Sequence, residues 1–383
     1  MTSVGDLRET KEGLATLLVH GVSRASGPGK KTGEPFYNPA MQRNRDMSVL
    51  FLRGLNRPGL RVLDGLSATG ATGIRIALEV PGVMVTCNDR DGAAVDLIKR
   101  NAELNNVRLE AVHNEAMQAL LCREKFDYID IDPFGTPAPY LDSTFRAVKR
   151  DGVVAVTATD TAVLCGSQPR TCIRRYDARP LHIDCCKEVA LRLLLGSCAR
   201  TAARYDRAIV PLVTFGIDHF FRAFMAVEQG SRKADECLSR LGYVCYDRGD
   251  GRRWISRAIP PEGDWAGPLW MGDILADNIV ASLTPLHYMG HGTSRLVEDL
   301  KSEVGAPPLY TTTGAMAKTL QLSPPRILDI LEALRAAGFR AVRTHLDPGG
   351  IKTDAPQTEF AATYSSLAEH VAVRVRAHAD RRR

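Results

Sequence analysis

The stretch FDYIDIDPFGTPAPYLD (residues 126–142) joins a buried-strand pattern to a turn that cannot continue a strand. Residues 126–131 are largely apolar, but Pro133 donates no amide hydrogen and fixes its own φ. The chain therefore stops at the edge of a sheet. It leaves a carboxylate, Asp132, and a flat ring, Phe134, at that edge.

The segments around this stretch have the spacing of a parallel sheet. Four further apolar runs are predicted to be strands separated by helices, at residues 60–64, 83–89, 108–113 and 152–159. Continuously apolar strands of this kind require helices on both faces of the sheet. Two later strand patterns, 208–215 and 221–228, are close enough for an antiparallel hairpin at one edge. We predict a doubly wound, mostly parallel α/β domain over residues 1–229.

Residues 230–383 differ in composition and are predicted to form a smaller C-terminal α+β domain. Residues 242–272 are rich in Gly and Pro and contain all three tryptophans, at 254, 265 and 270. The segment 311–345 has the order helix, turn, helix, strand, which resembles a winged helix. Winged helices often contact nucleic acid, but a small packing module without a ligand is the alternative.

Composition favours a cytoplasmic protein. Of the 383 residues, 44% are hydrophobic and 25% charged, and no apolar run is long enough to span a bilayer. The N-terminus lacks the apolar core of a signal peptide. The nine cysteines are irregularly spaced without a Cys-x-x-Cys pair, which indicates reduced thiols rather than disulfides.

The net charge of +6 is mild, but basic residues are clustered. The clusters are SRASGPGKK (23–31), QPRTCIRRYDARP (168–180) and VRVRAHADRRR (373–383). They are candidate contacts for a nucleic-acid backbone, or simply solvated surface.

Candidate ligand residues follow the first three strands, where an open α/β sheet binds its ligands. Asp64 opens a glycine-rich loop that ends at Gly73 and lacks the Gly-x-Gly-x-x-Gly spacing of dinucleotide sites. Asp89 ends the second strand, where a carboxylate can accept hydrogen bonds from both hydroxyls of an adenosine ribose. Glu115 and Ala116 follow the third strand, where an adenine would lie. These residues fit NAD and S-adenosylmethionine equally well.

The Asp132-Pro133-Phe134 turn suits chemistry on the exocyclic amine of a nucleobase. That nitrogen attacks poorly because its lone pair is delocalised into the ring. A carboxylate that accepts a hydrogen bond from this amine, with nearby main-chain carbonyls as further acceptors, localises the lone pair. The carboxylate also removes the proton as the new bond forms. Phe134 can stack on the base and hold it near a methyl donor. A simple strand-ending turn is the alternative.

The chain resembles the S-adenosylmethionine-dependent tRNA guanine-26 N2-dimethyltransferases, above all their archaeal branch. The FYNP, NRD and DPFGTP motifs are the specific part of this resemblance, and the glycine loop is generic. The matching segments cover most of the chain: 34–49, 63–75, Asn88-Asp89, 130–142, 160–176, 266–274 and 344–356.

The resemblance implies a class I methyltransferase fold, S-adenosylmethionine as cofactor and tRNA as partner. It implies that Asp132 is the catalytic acceptor of the amine proton, with Pro133 beside it and Phe134 stacked on the flipped guanine. The cofactor site implied by the same match comprises Arg45, Arg75, Asp64, Asp89, Glu115, Ala116, Phe36 and Asn38, with Tyr37 also closing over the pocket.

One departure from the family concerns a four-cysteine zinc cluster that many members carry in the second domain. Only Cys245 lies near that position, so we expect no metal. We expect burial of Trp254, Trp265 and Trp270 to hold the loops instead. The enzyme is expected to be a monomer.

Three other functions stay open from the residues alone. A nicotinamide-dependent oxidoreductase can use the same sheet, although the glycine spacing weighs against it. A catalytically silent nucleic-acid-binding protein would have no use for a buried acid beside a stacking ring. An amino-methyltransferase for adenine N6 or another tRNA guanine shares the turn chemistry, and the number of methyl groups transferred is also open.

Overall fold

An N-terminal hairpin that the sequence analysis did not predict precedes the α/β domain. The computed structural model describes residues 7–21 and 35–380, with side chains through residue 369. The basic segment 23–31 and residues 381–383 therefore lie outside the described residues. Strands β1 (Leu7–Glu12) and β2 (Ala15–His20) pair antiparallel. Alternate residues of β2, namely Ala15, Leu17 and Val19, are buried against Ala71 and Ile74.

Seven strands form the predicted sheet, in the order β5-β4-β3-β6-β7-β9-β8. The first five in the chain run parallel, and the last two form the predicted antiparallel hairpin at the edge. Their bounds are β3 (Arg61–Asp64), β4 (Met84–Asn88), β5 (Ala111–His113), β6 (Phe126–Ile131), β7 (Val148–Ala158), β8 (Arg207–Ile217) and β9 (Phe220–Gln229). The doubly wound prediction is confirmed.

Helices cover both faces of this sheet, as its apolar strands require. They are α1 (Gln42–Leu55), α2 (Ala71–Glu79), α3 (Gly92–Leu104), α4 (Met117–Arg123), α5 (Ala138–Ala147), α6 (Thr161–Leu164), α7 (Pro169–Tyr176), α8 (Cys186–Ala203) and α9 (Ser231–Leu238). Asp91 caps α3 by accepting a hydrogen bond from the Ala93 amide at 3.0 Å. Within residues 7–21 and 35–380, none of the helices combines the length and the apolar character needed to cross a bilayer.

The rest of the chain adds two small three-stranded sheets and five helices to the described structure. The first sheet, ordered β11-β10-β12, contains β10 (Leu241–Tyr246), β11 (Arg253–Ser256) and β12 (Asp264–Trp270). The remaining elements are α10 (Asp277–Ser282), α11 (His291–Glu303), β13 (Thr311–Thr312), α12 (Thr313–Leu320), α13 (Ile327–Ala336), β14 (Ala341–Thr344), β15 (Asp347–Thr353) and α14 (Gln357–Asp380). Helices α12 and α13, followed by the β14–β15 hairpin, form the winged-helix-like segment, which has its own core.

The main hydrophobic core extends beyond the seven-stranded sheet. Leu269 and Trp270 of β12 and Leu296 of α11 belong to the same buried cluster as the sheet strands. Asp46 of α1 accepts a hydrogen bond from Thr293 of α11 at 2.6 Å. The C-terminal elements are thus packed directly on the α/β layer, and the division at residue 229 stays a prediction.

Burial of all three tryptophans was a wrong expectation. Trp270 is buried and donates from its indole nitrogen to the Asp273 carbonyl at 2.9 Å. Trp265 is half-buried, and Trp254 is 36% exposed. The reason is that Trp254 lies on β11, an edge strand whose outer side pairs with none of the described strands.

Candidate active site

The loops after the first three parallel strands converge at one edge of the sheet, where buried Asn88 holds them together. Its Nδ2 donates to the Gly65 carbonyl, after β3, at 3.1 Å. It also donates to the Glu115 carbonyl, after β5, at 3.1 Å. One side chain at the end of β4 therefore sets the spacing of three ligand-facing loops.

The glycine-rich loop packs very closely on the sheet. A Cβ on Gly73 would lie 2.3 Å from the Cys87 sulfur, so no larger residue fits there. The Gly73 amide donates to Asp64 Oδ2 at 3.0 Å. Burial, with the nearby Asp130 carboxylate, raises the pKa of Asp64 to about 7. Asp64 is thus a support for the loop as well as a candidate ligand residue.

Asp89 lies half-buried at the end of β4 with free hydrogen-bonding capacity. Its carboxylate accepts from the Ala68 amide at 2.9 Å and the Asp91 amide at 3.0 Å. Within the described part of the chain it forms no ion pair, and Asp91 rather than Asp89 caps α3. Each carboxylate oxygen keeps a lone pair for a further donor, such as a ribose hydroxyl.

Glu115 and Ala116 lie where predicted, between β5 and α4. The Glu115 carboxylate accepts from Arg123 Nη2 at 2.5 Å. Ala116 is the exposed residue that precedes the first turn of α4. The Glu115 side chain therefore has a basic partner, whereas the main chain at Ala116 is accessible.

Asp132, directly after β6, is half-buried and held by neutral donors. Asn44 of α1 donates from Nδ2 to Asp132 Oδ2 at 3.0 Å and lies 3.3 Å from Thr157 Oγ1. Burial raises the pKa of Asp132; the Arg222 guanidinium opposes this rise and the Asp130 carboxylate adds to it. A carboxylate with a raised pKa is a stronger base than an exposed aspartate.

A buried ion pair lies behind Asp132. Arg222 of β9 is fully buried and contacts both Asp130 oxygens, at 2.8 and 2.5 Å. It also donates to Thr157 Oγ1 at 2.7 Å. The sequence analysis missed this pair, although an arginine inside the apolar strand FFRAFMAVE signals a buried carboxylate partner.

The turn after Asp132 presents the predicted ring to solvent. Pro133 is buried, and Phe134 is 55% exposed. Phe36 meets Phe134 edge to face, with ring centroids 4.7 Å apart. Gly135 is anchored to the end of β7, because its amide donates to Thr159 Oγ1 at 2.6 Å. The structure thus joins the predicted stacking ring to a predicted cofactor residue.

Arg45 and Arg75 are joined by Glu12 of the N-terminal hairpin. Arg45 contacts both Glu12 oxygens, at 2.6 and 2.5 Å. Arg75 is fully buried and contacts Glu12 at 2.9 Å, Asp46 at 2.6 Å and Glu79 at 2.8 Å. Burial opposes the ionisation of Glu12, but the two guanidinium groups outweigh it and lower the pKa of Glu12 to about 2. Arg75 therefore has no free face in this structure.

Tyr37 and Asn38 complete this cluster. The Tyr37 hydroxyl donates to Glu12 Oε2 at 2.7 Å. Asn38 caps a short 3-10 turn by accepting from the Ala40 amide at 3.0 Å, and its carbonyl accepts from Arg45 at 3.0 Å. The FYNP motif therefore connects the hairpin to α1.

We expect Glu12→Gln to lower the free energy of unfolding by about 2 kcal/mol, because it removes the charge shared by two buried arginines. Since the folded pKa of Glu12 is near 2 and its ordinary value is 4.5, this stability is complete above pH 4.5 and is lost as the pH falls toward 2. Urea unfolding of wild type and variant between pH 3 and 7 measures the difference. Glu9→Gln, on the exposed side of the same strand, is the control; an equal loss in both variants contradicts this assignment.

The described residues contain no group of three or more His, Cys, Asp or Glu side chains placed to hold a metal ion. All nine cysteines are free thiols.

The strand order, with its reversed last strand, and the acidic loops at the carboxyl edge define a class I methyltransferase. A model of the N2,N2-dimethylguanosine tRNA methyltransferase family matches residues 21–365. The chain belongs to this family.

Two archaeal relatives, each named tRNA (guanine(26)-N(2))-dimethyltransferase, match along most of their length. The one from Pyrococcus abyssi is 39% identical, with 86% of this chain and 93% of the relative covered. The one from Thermococcus kodakarensis is 38% identical, with 92% and 97% covered. The solved structure of Trm1 from Pyrococcus horikoshii with S-adenosyl-L-methionine is 37% identical, has a TM-score of 0.84, and is matched over 93% of this chain and 99% of that one.

Proposed function

We propose that this protein transfers methyl groups from S-adenosylmethionine to the exocyclic N2 of guanine-26 in tRNA, and that it forms N2,N2-dimethylguanine. The observation that carries the proposal is the Asp132-Pro133-Phe134 turn at the edge of a class I methyltransferase sheet, with the carboxylate held by Asn44. The family match and the named activity of the relatives supply the nucleotide and the atom.

The cofactor site is proposed at the ends of β3, β4 and β5. Asp89 accepts hydrogen bonds from the ribose hydroxyls. Glu115 and the accessible main chain at Ala116 border the adenine. Asp64 and Asp132 border the proposed place of the sulfonium, and a cation there favours the ionised form of both carboxyl groups. Arg45, whose Nε and Nη2 already contact Glu12, offers its remaining Nη1 to the methionine carboxylate, and fully buried Arg75 supports Arg45 through Glu12. Phe36 and Asn38 close the pocket from the side of α1.

The bound cofactor supplies an electrophilic methyl group. The protein supplies the base, orients the guanine and keeps water away from the reacting atoms. Asp132 accepts the N2 proton, with the Pro133 carbonyl as a second acceptor for the amine. Phe134, whose ring is more than half exposed, stacks on the guanine after it leaves the tRNA helix. Asn44 donates to the Asp132 oxygen and so turns the other oxygen toward the amine.

The tRNA contacts are proposed to come from α7 and from residues 230–383. Arg170, Arg174 and Arg179 in and after α7 are exposed. Arg175 and Tyr176 tie this helix to Asp160, at the end of the strand next to β6. Basic side chains and the winged-helix-like segment contact the phosphates and recognise the shape of the tRNA. Recognition by shape is expected because the accessible groove of A-form RNA carries little sequence information. We further propose a monomer that works in the cytoplasm without a metal ion.

The test uses labelled S-adenosylmethionine and two unmodified tRNA transcripts that differ only in guanine or adenine at position 26. We expect labelled N2-methylguanosine and N2,N2-dimethylguanosine from the guanine transcript alone after digestion to nucleosides. Label in adenosine or in another guanine would contradict guanine-26 as the substrate. Binding of NADH but not of S-adenosylmethionine overturns the reaction class.

Asn44→Asp is expected to move the pH dependence of the methyl-transfer rate to higher pH. The new carboxylate lies against Asp132, and a like charge raises the pKa of its neighbour, so the base is ionised only at higher pH. Single-turnover rates across pH 5–9 measure the shift. Asn278→Asp, on the exposed side of α10, is the matched control. An unshifted profile in Asn44→Asp contradicts the orienting role.

A further inference from the structure

A cleft of about 450 Å³ lies away from the sheet edge. Strand β11 forms one wall, and strand β15 of the winged-helix-like segment forms the other together with the start of α14. Its lining contains Arg252 and Arg253 and no aspartate or glutamate. A ligand of negative charge therefore meets no opposing carboxylate in the lining.

The outer wall of the cleft is a flat aromatic ring. Trp254 is 36% exposed, although tryptophan is usually among the better-buried residues. The Arg252 guanidinium lies 5.1 Å from the centre of this ring. An exposed indole with a stacked guanidinium is suited to a nucleobase, which has a π-face, and to the phosphate attached to it.

Polar groups deeper in the cleft can contact the edge of a ring. Thr311, Thr353 and Gln357 line it and offer both donors and acceptors. Arg253 also lines the cleft, where Asp184 holds its guanidinium at 2.9 Å. These polar groups offer hydrogen-bond partners to the edge of a ring in the cleft.

We propose that this cleft binds one unpaired nucleotide of the tRNA, with its base stacked on Trp254 and its phosphate beside Arg252. The inference rests on the proposed function, because it takes tRNA as the partner. The volume suits a single nucleotide rather than a helix, and a lining with two arginines and no carboxylate disfavours a basic peptide. The cleft is a second anchor, which holds the tRNA while guanine-26 enters the active site.

Trp254→Ala is expected to raise the Kd for an unmodified tRNA transcript about tenfold at fixed salt, because one base-stacking platform is lost. Trp254→Phe keeps a flat ring and should remain within about threefold of wild type. The Kd for S-adenosylmethionine should be the same in all three proteins. Arg100→Ala is the control for a solvent-facing arginine, because Arg100 is exposed on α3 and lies outside the proposed tRNA contacts.

Thermal unfolding of each variant shows whether it is folded, and the exposure of Trp254 predicts a melting temperature close to wild type. Tryptophan fluorescence should be quenched by tRNA in wild type and much less in Trp254→Phe. Equal tRNA affinity in Trp254→Ala and wild type, with guanine-26 still methylated, overturns nucleotide binding in the cleft and leaves the proposed function intact. A raised Kd in Trp254→Ala, with no methylation of any tRNA by wild type, supports the cleft and overturns the proposed function.

Discussion

Asp132→Asn is expected to lower the single-turnover rate of methyl transfer by about 10²–10⁴-fold, the usual contribution of a positioned general base. Asparagine has the same shape, so Asn44 and Pro133 can keep the turn in place. The amide cannot take up the proton that N2 loses as its bond to the methyl group forms. Rapid-quench measurements with labelled S-adenosylmethionine and saturating tRNA isolate this step from product release.

The variant should bind S-adenosylmethionine and tRNA with affinities near those of wild type. Asp96→Asn is the matched control, because Asp96 is exposed on α3 and lies outside both the site and the proposed tRNA contacts. A rate within about threefold of wild type in Asp132→Asn would show that another group accepts the proton. Loss of cofactor binding in the variant would make Asp132 a binding residue instead.

Arg222→Met is expected to cost about 3–5 kcal/mol of unfolding free energy, because it leaves a buried carboxylate without its cation. Arg222 and Asp130 are both buried, and their two contacts are 2.8 and 2.5 Å long. Methionine restores the volume but not the charge. Urea unfolding at neutral pH measures the loss.

The double variant Arg222→Met/Asp130→Asn separates charge from packing. It should recover a large part of the loss, because the orphaned charge is removed as well. Arg232→Met is the control, since an exposed i,i+4 pair contributes well under about 1 kcal/mol. A loss in Arg222→Met no larger than in Arg232→Met would contradict the importance of the buried pair.

The sheet and the turn after Asp132 could be predicted because their signals are local. Apolar runs that end in Asp64, Asp89 and Asp132 indicate both the strands and the edge at which they meet. Proline after Asp132 marks the strand end within one residue. The edge hairpin of β8 and β9 followed from two strand patterns separated by a short turn.

The contacts that hold the site could not be predicted, because they join residues far apart in the chain. Asn44 and Asp132 are 88 residues apart, and Arg222 and Asp130 are 92 apart. No spacing rule connects such pairs, and only the fold brings them together. An arginine within an apolar strand indicates that it has a buried partner but does not indicate which residue that partner is.

The N-terminal hairpin was missed for a related reason. Its two strands have six residues each, and only β2 has a clear alternation of buried side chains. Its contribution is Glu12, a single carboxylate that contacts both Arg45 and Arg75. Both arginines looked available for a ligand in the sequence because that acid lies 33 and 63 residues away from them.

The most direct test of the central claim compares two tRNAs that differ by one exocyclic amine. Guanine-26 is replaced by hypoxanthine, which lacks the N2 amine and otherwise keeps the shape of the base. Each tRNA is incubated with the wild-type protein and labelled S-adenosylmethionine, then digested to nucleosides. We expect label in N2-methylated guanosine from the guanine tRNA and none from the hypoxanthine tRNA. Equal label in both tRNAs would place the methyl group on another atom and contradict the proposed transfer to N2.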